Sequence, residues 1–170
     1  MNVFVLRHGL AGERGSPGFE RDADRPLTPE GERQLEKIAA AMAALDLSFD
    51  MIVSSPYARA RQTAEIVADG LKLRKRLEYS PTLTPEGSSK KLIELINRMK
   101  PRPDSILLVG HEPHLSGLIS LLVSGDASLR LVMKKGGLCK LSVETLKHAR
   151  CAEMKWLLTP KQMKLMTKSE

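Results

Sequence analysis

Two apolar tetrapeptides, Val3-Phe4-Val5-Leu6 and Ile106-Leu107-Leu108-Val109, constrain this chain more than any other feature. Neither alternates with polar residues, so each reads as a strand buried on both faces, the kind found inside parallel sheets. Such a sheet needs helices on both sides, and the rest of the chain supplies the patterns. Leu35, Ile38, Met42 and Leu45 fall on one helical face and predict a helix over 29–45. "SSPYARARQTAEIVADG" reads as a cap at Ser55, a helix to Asp69, and a stop at Gly70. Leu92, Leu95, Ile96 and Met99 mark a third helix, ended by Pro101 and Pro103, and a fourth is expected over 114–123. Further strands are expected over 51–53, 77–79, 139–143 and 154–158. This alternation predicts an α/β fold: a three-layer α/β/α sandwich with a mostly parallel sheet, formed by one domain over residues 1–170.

The pentapeptide LTPEG occurs at Leu27–Gly31 and again at Leu83–Gly87, with no similarity around it. Both copies read as helix starts, with Thr as cap, Pro in the first turn and Glu near the positive end of the dipole. On that reading Glu86 is a first-turn helix residue.

Charge and cysteine content narrow the function. The net charge of +7 suits phosphorylated substrates, an anionic surface or nucleic acid. The Lys and Arg residues are scattered apart from 73–76 and the tail lysines Lys161, Lys164 and Lys168, and only 4% of residues are aromatic. A solvated basic surface is expected, without a nucleic-acid partner. No apolar run approaches the roughly 20 residues that span a bilayer, and no leader pattern precedes the first strand, so a cytoplasmic address is expected. Cys139 and Cys151 form neither a metal motif nor the loop of a cysteine phosphatase, and read as buried or half-buried thiols.

In sheets of this class ligands bind outside the carboxyl ends of the strands. Arg7 and His8 leave the first strand there, the Ser54–Arg59 segment leaves the second, and His111 leaves the strand at 106–109. Arg7 and Arg59 bring forked donors that match phosphate oxygens. His8 and His111 titrate near neutrality and suit nucleophile, base or donor. His111-Glu112-Pro113-His114 misses the zinc helix motif, because Leu115 stands where the second His belongs. Neither a metal nor another cofactor is expected. Two Arg and two His around one pocket suggest phosphoryl transfer through a covalent phosphohistidine.

"LRHG" at Leu6–Gly9, "SSPYARARQTA" at Ser54–Ala64 and "VGHEP" at Val109–Pro113 resemble the histidine phosphatase superfamily. "RPLTPEG" at Arg25–Gly31 and "WLLTP" at Trp156–Pro160 are most similar to its SixA-type phosphohistidine phosphatases. The resemblance implies a phosphoglycerate-mutase-like fold, with His8 as nucleophile, Arg7 and Arg59 on the phosphate oxygens, and His111 as a cationic donor. Gly9 would let the backbone turn tightly beneath the phosphate. Arg14, Arg21 and Arg25 would either guide an anionic substrate or face solvent.

Larger relatives add a carboxylate general acid, and SixA-type members are described as lacking it. Glu86 stands in the corresponding region, and is read here as a helix-start residue rather than that acid. The short 71–88 segment leaves no room for a cap, so the site is expected to be shallow and open. It would then accept a phosphohistidine on another protein, such as a phosphotransfer domain, in protein dephosphorylation linked to signal transduction. The alternatives are a small-molecule phosphomonoesterase or mutase of the same superfamily, and a non-catalytic phosphoprotein-binding module.

Overall fold

Strand β1 (Asn2–Arg7) lies inside a six-stranded sheet in the computed structural model, which describes residues 1–167. The other elements, in chain order, are α1 (Pro29–Ala44), β2 (Met51–Ser54), α2 (Ala58–Gly70), β3 (Leu77–Tyr79), α3 (Ser89–Arg98), β4 (Ser105–Gly110), α4 (His114–Ser124), β5 (Leu138–Val143), β6 (Ala152–Leu158) and α5 (Pro160–Met166). Sheet order is β3-β2-β4-β1-β5-β6. The first four of these strands run parallel, whereas β5 joins β1 and β6 joins β5 in antiparallel pairs.

Strand alternation sends the apolar runs into two cores. Phe4 and Leu6 of β1 and Leu107 and Val109 of β4 pack against α1, α2 and α5 through Leu35, Ile38, Ala64 and Met163. Val3, Val5, Ile106 and Leu108 face α3 and α4 through Leu92, Ile96, Leu115 and Leu118. The three-layer sandwich is therefore present. No helix among the described residues is long and apolar enough to cross a membrane.

Several local expectations need correction. Leu45 caps α1 and is exposed, because the helix ends one residue before it. The buried face of α3 uses Ile93 rather than Leu95, beside Leu92 and Ile96. Ser55 does not cap α2: the helix begins at Ala58, and Tyr57 occupies the cap position without a side-chain bond. The first LTPEG starts α1 as expected, with Thr28 Oγ1 accepting the Gly31 N–H at 3.0 Å. The second does not start a helix. Pro81–Leu83 forms a 3-10 turn, Thr84 to Gly87 closes a further turn, and α3 begins only after Ser88, whose Oγ accepts the Lys91 N–H. The Thr84 hydroxyl donates backwards to the Pro81 carbonyl, and the Gly87 N–H goes to the Thr84 backbone carbonyl rather than to that hydroxyl. Helix α5, which the sequence reading omitted, is short but carries a full capping box from Thr159 and Gln162. Lys168, counted above with the tail lysines, lies outside the described residues.

Candidate active site

The register of the central strands sets the site. Arg7 pairs with Gly110 across β1 and β4, and Ser54 pairs with Val109 across β2 and β4. Three neighbouring strands thus end at one level, and the residues just beyond them converge. His8, Arg59 and His111 are 4%, 2% and 1% exposed, and Arg7 is half-buried.

His8 Nδ1–H donates to the Gly9 carbonyl at 2.8 Å, which fixes the tautomer and leaves Nε2 with a lone pair. Arg59 Nε–H donates to that Nε2 at 3.3 Å. Burial, aided by the fields of His111, Arg59 and Arg7, outweighs the Gly9 bond that pulls the other way and brings the His8 pKa down to about 2. His8 is therefore neutral in the free site. The His111 ring lies 5.1 Å from that of His8, centroid to centroid. Its Nε2 shares a 2.7 Å hydrogen bond with the Ser55 hydroxyl. Burial, and then the charge of Arg59, bring its pKa to about 3. His111 is therefore neutral in this environment, whereas the sequence analysis expected a cationic donor. A dianion bound beside it would draw that pKa upward.

Arg7 spends one Nη on the Met133 carbonyl at 2.7 Å. Its Nε, like Nδ1 of His111, is buried with no partner among the described residues. Buried polar atoms left unpaired cost about 1–3 kcal/mol each, so both carry unmet hydrogen-bonding capacity beside His8.

Gly9 serves a different need from the one expected. Its φ is not positive; instead a Cβ there would lie 2.7 Å from Leu35 Cδ1, in the packed core. The Gly9 N–H donates to Thr63 Oγ1, which itself donates to the Arg59 carbonyl, so strand end and helix α2 are tied together.

Asp22 is the principal residue that the sequence reading missed. Its carboxylate accepts Arg59 Nη2 at 2.9 Å, and its backbone carbonyl accepts Nη1 at 2.7 Å. Arg25 and Arg14 reach the same carboxylate at 2.9 and 3.5 Å. Burial raises the Asp22 pKa, but the hydrogen bonds and charge of Arg59 and Arg25 outweigh it and hold the carboxyl below its ordinary range. Arg14 and Arg25 are thus committed within the loop, and Arg21 forms an exposed pair with Asp24. Ser55 and Tyr57 were missed too. Ser55 Oγ accepts the Tyr57 N–H as well as meeting His111, and the Tyr57 ring lies 5.2 Å from His111 and 5.5 Å from the Arg59 guanidinium carbon.

The expected shallow, open site is not what the burial shows. The 71–88 segment holds only two 3-10 turns and the short strand β3, as expected of a short connection, but the loop between β1 and α1 reaches Arg59 through Asp22. Glu86 is exposed in the 84–87 turn. Among the described residues no group of three or more His, Cys, Asp or Glu is placed to hold a metal ion. Glu112 instead accepts the Ser116 N–H in the first turn of α4, and His114 meets Ser89 Oγ.

Residues 3–84 match the model of the histidine phosphatase superfamily, branch 1. An uncharacterized protein of Picosynechococcus is 35% identical over 142 residues, covering 83% of this chain and 84% of that one. The phosphohistidine phosphatase SixA of Escherichia coli is 28% identical over 169 residues, covering 97% of this chain and 98% of its own. A solved structure of the protein histidine phosphatase SixA complexed with tungstate superposes with a TM-score of 0.77 at 27% identity, covering 95% of this chain and 98% of that chain. With its motifs on adjacent strand ends and relatives matched along most of its length, the chain belongs to the histidine phosphatase superfamily.

Proposed function

We propose that this protein is a phosphohistidine phosphatase that removes phosphate from a histidine of another protein, through a covalent intermediate on His8. The observation that carries this reading is the state of His8: a neutral ring, its proton held on Nδ1 by Gly9, with the Nε2 lone pair beside the Arg59 guanidinium. That nitrogen is a nucleophile needing no prior deprotonation.

The reaction divides into two displacements. His8 Nε2 attacks phosphorus, the P–N bond to the substrate imidazole breaks, and the departing nitrogen takes a proton from solvent. Water then attacks the phosphoryl group on His8, giving inorganic phosphate and the free ring. Arg7 and Arg59 neutralise the charge on the transferring oxygens, and His111 donates to them. No cofactor or metal ion takes part in this scheme. Support for a phosphohistidine substrate comes from the full-length similarity to SixA and from the placement of Glu86. That carboxylate is exposed rather than buried with His8, and a protonated imidazole leaves far more readily than an alkoxide. Such a substrate would sit on a cytoplasmic signalling protein.

A small-molecule phosphomonoesterase is the second reading, favoured by the deep burial of His8 and His111, which suits a compact substrate. A turnover panel separates the two: a phosphohistidine protein, sugar phosphates and an aryl phosphate. The first reading expects the phosphohistidine protein to have the highest kcat/KM by at least tenfold. Sugar phosphates ahead of it would establish the second. Rapid quenching should trap an acid-labile, base-stable phosphoryl group on His8, and His8→Ala should abolish both trapping and turnover. Turnover without that adduct in the wild type, or near-normal rates in the variant, would remove the mechanism.

A further inference from the structure

The turn at residues 133–137 is fastened to the backbone that carries the nucleophile. Arg7 Nη1 donates to the Met133 carbonyl, and the Arg7 N–H donates to the Gly137 carbonyl at 3.1 Å. The Gly136 N–H meets the carbonyls of both Arg7 and His8 at 3.0 Å. Within the turn, the Gly137 N–H closes on the Lys134 carbonyl at 2.7 Å, and Gly136 has a φ of +77°. Positive φ at the third position makes glycine the fitting residue there and puts Lys135 at the second. A Cβ on Gly136 would also come within 2.9 Å of Ile38 Cδ1 in the core beneath. The turn therefore has one seat, and it delivers Lys135 to the edge of the site.

The two lysines of this turn differ. Lys134 is exposed, whereas Lys135 is half-buried and has no carboxylate within ion-pair distance among the described residues. Lys135 lies in the field of Arg7, Arg25 and Arg59: burial, and then repulsion from these three, lower its pKa. Of the carboxylates that act on that cluster, Asp22 is already shared by Arg14, Arg25 and Arg59, and Glu112, which acts on Arg7, accepts the Ser116 N–H. Cations gathered this way repel one another until an anion arrives, and a dianionic phosphoryl group supplies the missing charge.

We propose that Lys135 is a third cationic arm of the substrate site, its ammonium donating to a non-bridging oxygen of the phosphoryl group held by Arg7 and Arg59. This rests on the phosphatase reading above. The contact adds a point charge to two forked ones, so it strengthens binding of the dianion without fixing its orientation.

The test compares wild type with Lys135→Met, Lys135→Arg and Lys134→Met, reading inorganic phosphate binding by calorimetry and kcat/KM on an aryl phosphate. Thermal unfolding of each variant monitors the fold. Lys135→Met should weaken phosphate binding roughly 10- to 100-fold, the range for losing a hydrogen bond to a charged group. It should reduce kcat/KM at least as much, Lys135→Arg should recover most of both, and Lys134→Met should change neither by more than about twofold. Equal losses in the two methionine variants would mean a general field and no contact, and would overturn the proposal, as would a Lys135→Met protein that binds phosphate normally. A wild type that neither binds phosphate nor turns over substrate would instead overturn the phosphatase reading.

Discussion

Arg59 donates its Nε–H to His8 Nε2 while both of its Nη groups turn the other way, to the backbone and carboxylate of Asp22. A planar guanidinium meets all three demands at once, and a lysine ammonium at the end of a flexible stem does not. Arg59→Lys should therefore lower kcat/KM on the order of 10- to 1000-fold although the charge is kept, the range for a preorganised donor. Arg61, two residues on, pairs with Glu65 on the surface of α2, its side chain 43% exposed. Arg61→Lys should stay within about twofold in the same assay.

Asp22 gives a sharper test, because it touches the site through Arg59. Asp22→Asn retains the shape and the backbone carbonyl contact but withdraws the negative charge from Arg59, Arg25 and Arg14. A looser Arg59 should cost about 10- to 100-fold in kcat. Binding of inorganic phosphate should become tighter, since the competing carboxylate is gone. A merely structural role would lower the unfolding midpoint and leave that split between kcat and phosphate affinity absent.

Stability should fall in mild acid. His8 and His111 stay neutral down to about 2 and 3 in the folded protein, and both titrate near 6.5 when unfolded. Below pH 6.5 the unfolded chain binds protons that the folded chain refuses, so stability drops as pH falls, by about 1.4 kcal/mol per pH unit for each histidine. Burial lowers His114 in the same direction. Asp22 enters only near its ordinary 3.8 and below, which leaves pH 5 to 6.5 to the histidines. Urea titrations across that window should show the slope, and His8→Asn should reduce it by about one proton. An unchanged slope would mean that His8 titrates normally in the folded state.

Glu86 is the remaining carboxylate with a claim on the chemistry. A general acid is worth roughly 100- to 10,000-fold, most for the poorest leaving groups. Exposed in the 84–87 turn, Glu86 should contribute little, and Glu86→Gln should alter the rate on every substrate by less than a few-fold. Selective loss of alkyl ester hydrolysis would point to an acid and favour the small-molecule reading.

Arg7, His8 and His111 were legible in the sequence because each stands at the marked end of an apolar run, and Arg59 because it opens the helix that follows the strand at 51–53. Their convergence followed from placing those strands side by side in one sheet. Asp22 was not legible in the same way: it lies 37 positions from Arg59, in a loop whose charges read equally well as solvated. Ser55 was visible but assigned to a helix cap, since a serine before an amphipathic run ordinarily serves there, and its bond to His111 spans 56 positions. Lys135 had no local signal beyond the Gly-Gly that follows it. The second LTPEG shows the limit most clearly. Five identical residues start a helix at Thr28 and build a turn at Thr84, where the Gly87 N–H closes on the Thr84 carbonyl and a 3-10 turn precedes it.

The place of β1 in the sheet has a consequence for motion. Its residues bond to β4 on one side and β5 on the other, and Phe4 and Val5 are almost wholly shut off from water. Their amides should exchange with deuterium only when the whole molecule opens, whereas amides around Asp22, in the single 3-10 turn Asp22–Asp24 between β1 and α1, should exchange through local openings. With that pattern the proposed nucleophile would be rooted in the slowest part of the protein and Arg59 latched by a faster one, so that the arginine could be released to an arriving substrate without disturbing the strand that carries His8.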